Sequence, residues 1–420
     1  MNVLFLTMSR LTDINTRSIY PDLMRKFRDE GHNVYIVSPR ERQFHIPTNL
    51  KETDGVKILG VRTFNVQKTN VIEKGLGQVL MEPLFKHAVR KYFGGVKFDL
   101  ITYSTPPITF VNVIKSVKRR NPGARSYLML KDIFPQNAVD IGMLTDAGGL
   151  KSGGLKKFPV NIVKYIMFLM FRRKERQLYK VSDWIGCMSP ANVRYVLDHN
   201  PELALQQPSK VEIAPNSFEL PDQPYGSRGK NVELLNKFGL PTDRPVFIYG
   251  GNLGKPQGIP FLIECLSANA CRTDCHFVVL GSGVDYPLLE KWYRDRRPES
   301  VSVFSDLPSD EYSRLASSCD VGLIFLDYRF TIPNYPSRLL DYLMEKKPII
   351  ACTDPNCDTG SIAEENGYGY WCPSNSVEAF TRTVDRMLAS DMKQMGENGY
   401  RFFLENYTVQ NTFNAIMKHL

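Results

Sequence analysis

Much is missing from this chain of 420 residues, and each absence removes a class of function. No D-x-D pair of carboxylates occurs anywhere, so the usual device for holding a divalent ion on a diphosphate is lacking. No uninterrupted apolar run reaches the length of a membrane-spanning helix. The opening residues Met1 to Thr7 are apolar but carry no basic lead and no small-residue cleavage site, so they read as a strand rather than a targeting segment. All of the 8 cysteines except Cys187 lie after residue 260, which is not the spread of a secreted disulfide scaffold. Cys265, Cys271 and Cys275, with His276 beside them, form the one cluster, and their C-x5-C-x3-C spacing fits no common zinc site. Zinc-finger spacings and aromatic RNA-binding signatures are absent too, so nucleic acid is not the expected partner.

What is present is ordinary in bulk and unusual in sign. The chain is 43% hydrophobic and 23% charged, with a formal net charge of +9. Such a balance suits an anionic membrane face or a phosphorylated substrate. The length exceeds what a single core serves, so two domains are expected.

Strand and helix signals alternate through the first half, from Val3–Thr7, the amphipathic stretch Arg17–Glu30 and Asn33–Ser38 onward. Further strands are expected at 56–61, 100–103, 126–130, 184–188 and 211–214. The polar, turn-rich segment 225–229 reads as a linker. The pattern then restarts at 245–251 and continues at 276–280, 301–304, 321–325 and 349–352. The expected fold is therefore α/β, with two Rossmann-like, doubly wound parallel-sheet domains facing a central cleft. Their expected limits are 1–220 and 221–400, with residues 401–420 forming a helix that crosses back to the first domain.

Two segments of the second half carry binding chemistry. Tyr249-Gly250-Gly251-Asn252-Leu253-Gly254-Lys255 leaves a strand as a glycine-rich loop, where backbone can approach a phosphate and Lys255 adds positive charge. Pro336-Ser337-Arg338-Leu339-Leu340-Asp341 opens a helix, with Ser337 as the expected N-cap, Arg338 as counter-charge to a diphosphate and Asp341 as acceptor for two ribose hydroxyls.

The run Pro336–Ile350 resembles the P-S-K-L-x-E-Y-M-A-x-G-K-P-V-I signature of family-4 retaining glycosyltransferases of the GT-B fold. Tyr249–Gly258 resembles the Y-x-G-N-x-G-x-x-Q-G loop of their bacterial polysaccharide branch, which makes capsules and O-antigens. Ser104-Thr105-Pro106-Pro107, Lys131–Val139 and Ile213–Ser217 resemble three further stretches of that branch, in the expected order. The resemblance implies a UDP-sugar donor, a lipid-linked saccharide acceptor, retention at the anomeric carbon, and neither metal nor cofactor. It implies that Asp306 and Leu307 line the base, and that Gly250, Gly251, Asn252, Lys255, Pro336, Ser337, Arg338, Leu339 and Asp341 hold the donor. Asp132, Lys255 and Arg338 are the expected catalytic residues, and Arg17 and Lys131 the expected contacts to acceptor or phosphate. Relatives often carry glutamates at the positions of Pro333 and Asp341, and Arg and Lys at those of Asn252 and Gln257.

Leu155 to Lys180 mixes aromatic and basic residues as an interfacial membrane helix does, and Leu80–Phe93 carries a similar mix. The expected location is cytoplasmic, peripheral on the inner face of the plasma membrane. Two other readings share the architecture: a nucleotide-sugar epimerase, and a non-catalytic membrane scaffold, which the missing acid at Pro333 would suit.

Overall fold

The computed structural model describes residues 1–65, 71–151, 154–220 and 230–420. The expected linker 225–229 lies outside them. The chain divides into two compact units, Met1–Glu219 with Val409–Leu420, and Leu220–Thr408.

Unit 1 is built on an eight-stranded sheet in the order β3-β4-β2-β1-β5-β6-β7-β8. The strands are β1 (Asn2–Leu6), β2 (Asn33–Glu41), β3 (Asn49–Thr53), β4 (Val56–Thr63), β5 (Leu100–Ser104), β6 (Arg125–Leu130), β7 (Trp184–Cys187) and β8 (Val211–Ile213). Every pairing is parallel except β3 with β4. The edge strand β3 adds one antiparallel pairing to the expected doubly wound parallel sheet. Its residues are mostly exposed, so no apolar alternation announces it. The inner strands are apolar on both faces because helices cover both. Leu4 and Leu6 join one core cluster, while Val3 and Phe5, pointing the other way, join a second.

The helix Val71–Phe93 tests one expectation directly. Met81, Phe85, Val89 and Phe93 are all buried in the first cluster. Leu80–Phe93 is thus a core helix, not an interfacial one: its apolar side already faces protein.

The first helix spans Ile19–Asp29, so Arg17 stands just before it. The last helix, Val409–Met417, belongs to unit 1. Phe413 packs edge-on to Phe27 at 4.9 Å, and the Thr412 hydroxyl donates to the Pro215 carbonyl at 3.2 Å. Burying an aromatic ring of this kind stabilises by about 2–3 kcal/mol.

Unit 2 carries a six-stranded, wholly parallel sheet in the order β11-β10-β9-β12-β13-β14. Its strands are β9 (Val246–Gly250), β10 (His276–Leu280), β11 (Val301–Phe304), β12 (Val321–Phe325), β13 (Ile349–Thr353) and β14 (Gly369–Pro373). β14, a five-residue strand that opens on glycine and closes on proline, is not among the expected strands. Cys265 and Cys275 are buried in the core of this unit, and Cys271 is exposed. Among the described residues no group of three or more His, Cys, Asp or Glu could hold a metal ion.

Candidate active site

In unit 2 the carboxyl ends of β9, β10 and β11 open on a cavity of about 450 Å³. That volume is in the range of sites for small organic ligands. Its floor is made by the turn after β9. The Gly251 N–H donates to the Leu280 carbonyl (2.9 Å), and the Leu253 N–H donates to the Ser282 carbonyl (2.7 Å), so the loop is zipped to the strand end beside it.

Glycine is required twice on this floor. Gly251 has φ +124°, in the region L-residues avoid. At Gly281 an added Cβ would stand 1.8 Å from the Gly251 carbonyl oxygen, a backbone atom with no room to yield. The two main chains therefore touch, and the Arg338 guanidinium lies against Gly251, 2.8 Å from where its Cβ would stand.

The wall opposite comes from the segment Ser337–Asp341. Arg338 packs over the Tyr249 ring at 4.4 Å, and its Nη1 donates to the Gly250 carbonyl. Stacking and hydrogen bonding fix the plane of the guanidinium. Among the described residues lining the cavity Arg338 is the only cation, facing the carboxylates Asp306 and Asp341. Tyr342, one residue beyond Asp341, is fully buried; its hydroxyl accepts from the Gly250 N–H (3.3 Å) and donates to the Ile248 carbonyl (3.0 Å). That bond ties the helix Arg338–Met344 to the end of β9. Ser337 occupies the cap position of this helix, but its side chain makes no capping bond and its backbone is helical, which corrects the expected capping role.

Of the residues expected to hold a donor, Gly250, Gly251, Asn252, Asp306, Leu307, Ser337, Arg338 and Asp341 line this cavity. Leu339 does not, since it is buried in the core, and Pro336 is not among the lining residues. Lys255 is exposed on the 3-10 turn Lys255–Gln257, away from the lining. The Asn252 amide donates to Gln257 Oε1 at 2.8 Å, so these two positions bond to each other. Sequence reasoning missed Tyr312, whose ring lies where a Gly250 Cβ would be, within 2.2 Å. The one signal for it is that missing side chain.

The unit 1 candidates are engaged with their own unit. Thr105 Oγ1 accepts the Lys131 and Asp132 N–H groups at 3.0 and 3.2 Å, fixing the end of β6. Lys131 Nζ donates to the Ala214 carbonyl at 3.2 Å, and burial lowers its pKa to about 7. Burial pushes the Asp132 carboxyl up to about 6, and the carboxylate has no hydrogen-bond partner among the described residues. Arg17 lies near the Phe218 ring at 5.9 Å. The N-terminus of the first helix is already supplied with an anion, because Asp22 accepts the Ser18 and Glu219 N–H groups, each at 2.9 Å.

Residues 231–402, within unit 2, match the family model described as "Glycosyl transferases group 1". "Probable glycosyltransferase WbjE" of Pseudomonas aeruginosa is 22% identical over 344 residues, covering 81% of this chain and 78% of that protein. The chain is a glycosyltransferase. The structure of Anabaena Alr3699/HepE in complex with UDP and glucose is similar over the whole chain and 99% of that protein, with TM-score 0.64 at 13% identity. That of WaaG, a glycosyltransferase involved in lipopolysaccharide biosynthesis, covers 99% of each chain with TM-score 0.62 at 12% identity. The fold of this glycosyltransferase is GT-B.

Proposed function

We propose that the enzyme moves a sugar from a UDP-sugar to a polyprenyl-diphosphate-linked saccharide in the synthesis of a surface polysaccharide of the capsule or O-antigen kind. The sugar is an N-acetylated hexosamine or its 6-deoxy relative. The configuration at the anomeric carbon is retained, no metal ion takes part, and the enzyme works on the cytoplasmic face of the plasma membrane.

One observation carries this reading: among the described residues lining the cavity a single cation, Arg338, stacked on Tyr249 and set against the glycines of the floor, with a carboxylate on the next turn of the same helix. A diphosphate needs close backbone approach and positive charge, and Asp341 suits the two hydroxyls of a ribose. Asp306 and Leu307 lie at the end of β11, where the base is assigned. The complex of HepE with UDP and glucose supports the choice of donor by likeness of fold.

In the step itself the bond from the anomeric carbon to the phosphate oxygen breaks, and its electron pair leaves with UDP. The acceptor hydroxyl attacks from the same face, and its proton passes to the departing phosphate oxygen. Arg338 stabilises the charge that develops there, an effect worth about 3–4 kcal/mol for one well-placed donor. Asp132, Lys131 and Arg17 are assigned to the acceptor side. The absence of any D-x-D pair supports a metal-free step.

The test is turnover of a panel of UDP-sugars with a polyprenyl-diphosphate saccharide, read by mass and by NMR of the new linkage, with and without excess chelator. We expect one donor to give UDP and a retained linkage in both conditions. Turnover that chelator abolishes and magnesium restores would remove the metal-free step. A donor epimerised without acceptor would remove transfer altogether.

A further inference from the structure

The helix Gly154–Val181 is oriented against the usual rule for a surface helix. Four of its polar side chains, Asn161, Lys164, Arg172 and Glu175, bond to the protein beneath. The Asn161 amide donates to the Gly149 and Leu150 carbonyls (3.3 and 3.2 Å), Lys164 Nζ to the Gly142 carbonyl (2.9 Å), and Arg172 to the His199 carbonyl (2.8 Å). Glu175, the one acid in the helix, is buried between Arg172 and the Tyr179 hydroxyl. Phe171 turns inward as well, packing on Phe134 at 4.9 Å, while Phe158 near the start of the helix is exposed.

Its outer side is the reverse. Ile162, Ile166, Leu169, Arg173, Arg176 and Lys180 are all exposed. They follow one another at alternating intervals of four and three, so they form a single stripe along the helix. Val163 and Met170, beside the stripe, are 58% and 61% exposed. The stripe is aliphatic in its first half and cationic in its second, with no acid on it. From Ile162 to Lys180 it runs roughly 27 Å, the aliphatic part about 12 Å. The side chains of Leu155–Lys157, also expected to take part, lie outside the described residues.

We propose that this stripe is a docking surface for an anionic lipid leaflet, its aliphatic half entering the acyl boundary while Arg173, Arg176 and Lys180 lie among the headgroups. The inference rests on the membrane setting of the proposed function and adds to it which residues make the contact. Both halves of the stripe are matched by a leaflet, which offers acyl chains directly beneath a layer of negative charge. A second copy of the helix would meet the aliphatic half but offers no exposed acid to the cationic half. Insertion to the depth of a few side chains, about 5–10 Å, suits the aliphatic length.

Flotation of the full chain with phosphatidylglycerol-containing and with phosphatidylcholine-only vesicles tests the proposal. The variants are Ile166→Asp with Met170→Asp, and Arg173→Glu with Arg176→Glu. All four replaced side chains are exposed, and the thermal shift given by UDP checks that each variant retains its donor site. We expect binding to the anionic vesicles, weakened by salt. The aspartate pair should lose it at least about tenfold even at low salt. The glutamate pair should lose about fivefold for each charge removed and flatten the salt dependence. Equal flotation of parent and aspartate variant would overturn the proposal, as would a concentration-dependent dimer broken by Ile166→Asp in a chain that ignores vesicles. Vesicle binding without a UDP shift would leave this surface standing and remove the donor reading instead.

Discussion

The carboxyl ends of the strands are furnished differently in the two units. In unit 2, β9 and β10 run into glycines, and Gly250, Gly251 and Gly281 line a cavity where, among the described lining residues, positive charge comes from a single fixed guanidinium. In unit 1 the corresponding ends carry polar side chains, and those are drawn into the protein, Lys131 to the Ala214 carbonyl and Thr105 to the backbone of Lys131 and Asp132. One arrangement ties its main-chain donors to the neighbouring strands and leaves Arg338 as the cation at the cavity. The other keeps titratable groups desolvated, with Asp132 raised and Lys131 lowered toward neutrality by burial. The proposed function assigns the constant nucleotide to unit 2 and the variable acceptor to unit 1.

The hardest blow to this contrast should come from Gly281→Ala. Its Cβ would enter the space of the Gly251 carbonyl, 1.8 Å away, and the floor must move. We expect nucleotide binding to fall at least about 100-fold, with several kcal/mol lost in unit 2 as neighbouring backbone shifts. Calorimetric titration with UDP and a denaturant melt measure the two. Unchanged affinity would mean that the floor is not the binding surface.

Asp341→Asn keeps the size of the side chain and removes its charge. About a tenfold loss of UDP affinity is expected, with a much smaller loss for 2′-deoxy-UDP, because the variant gives up a ribose contact worth about 1.5 kcal/mol. An equal loss for both nucleotides would place Asp341 away from the ribose.

The smallest effect sharpens the unit 1 side. A carboxyl raised from 3.8 to about 6 stabilises the fold fully below its unfolded pKa, and that stability is lost as pH rises through about 6. Asp132→Asn removes the loss. The variant should be more stable than the parent at about pH 8, by about 1 kcal/mol, with the gain gone at about pH 4. Melting temperatures across that range decide it, and a pH-independent difference would show that Asp132 is not desolvated.

Much of this was legible in the sequence, for identifiable reasons. The strands β9 to β13 of unit 2 are marked by apolar runs, and β9 and β10 run straight into glycine. β3 has no such apolar run, and the run Tyr370-Trp371-Cys372 of β14 is only three residues long. Lys255 was expected beside the phosphates on charge alone, but the left-handed Gly258 (φ +62°) and the Asn252–Gln257 bond turn its loop outward. Tyr312 belongs to a helix with no motif of its own and reaches the site only through its ring. Leu80–Phe93 and Ile162–Lys180 have similar compositions and opposite fates, one packed in the core and one facing out. Which side of a helix meets protein is settled by what lies beneath it, and composition does not report that.

The placement of the nucleotide on Arg338 is most directly tested by calorimetric titration of the full chain with UDP in excess chelator, comparing the parent with Arg338→Ala and Lys255→Ala. We expect one UDP per chain, a loss of about 100-fold in Arg338→Ala, and little change in Lys255→Ala. Tight binding that survives in Arg338→Ala and collapses in Lys255→Ala would place the diphosphate outside this cavity.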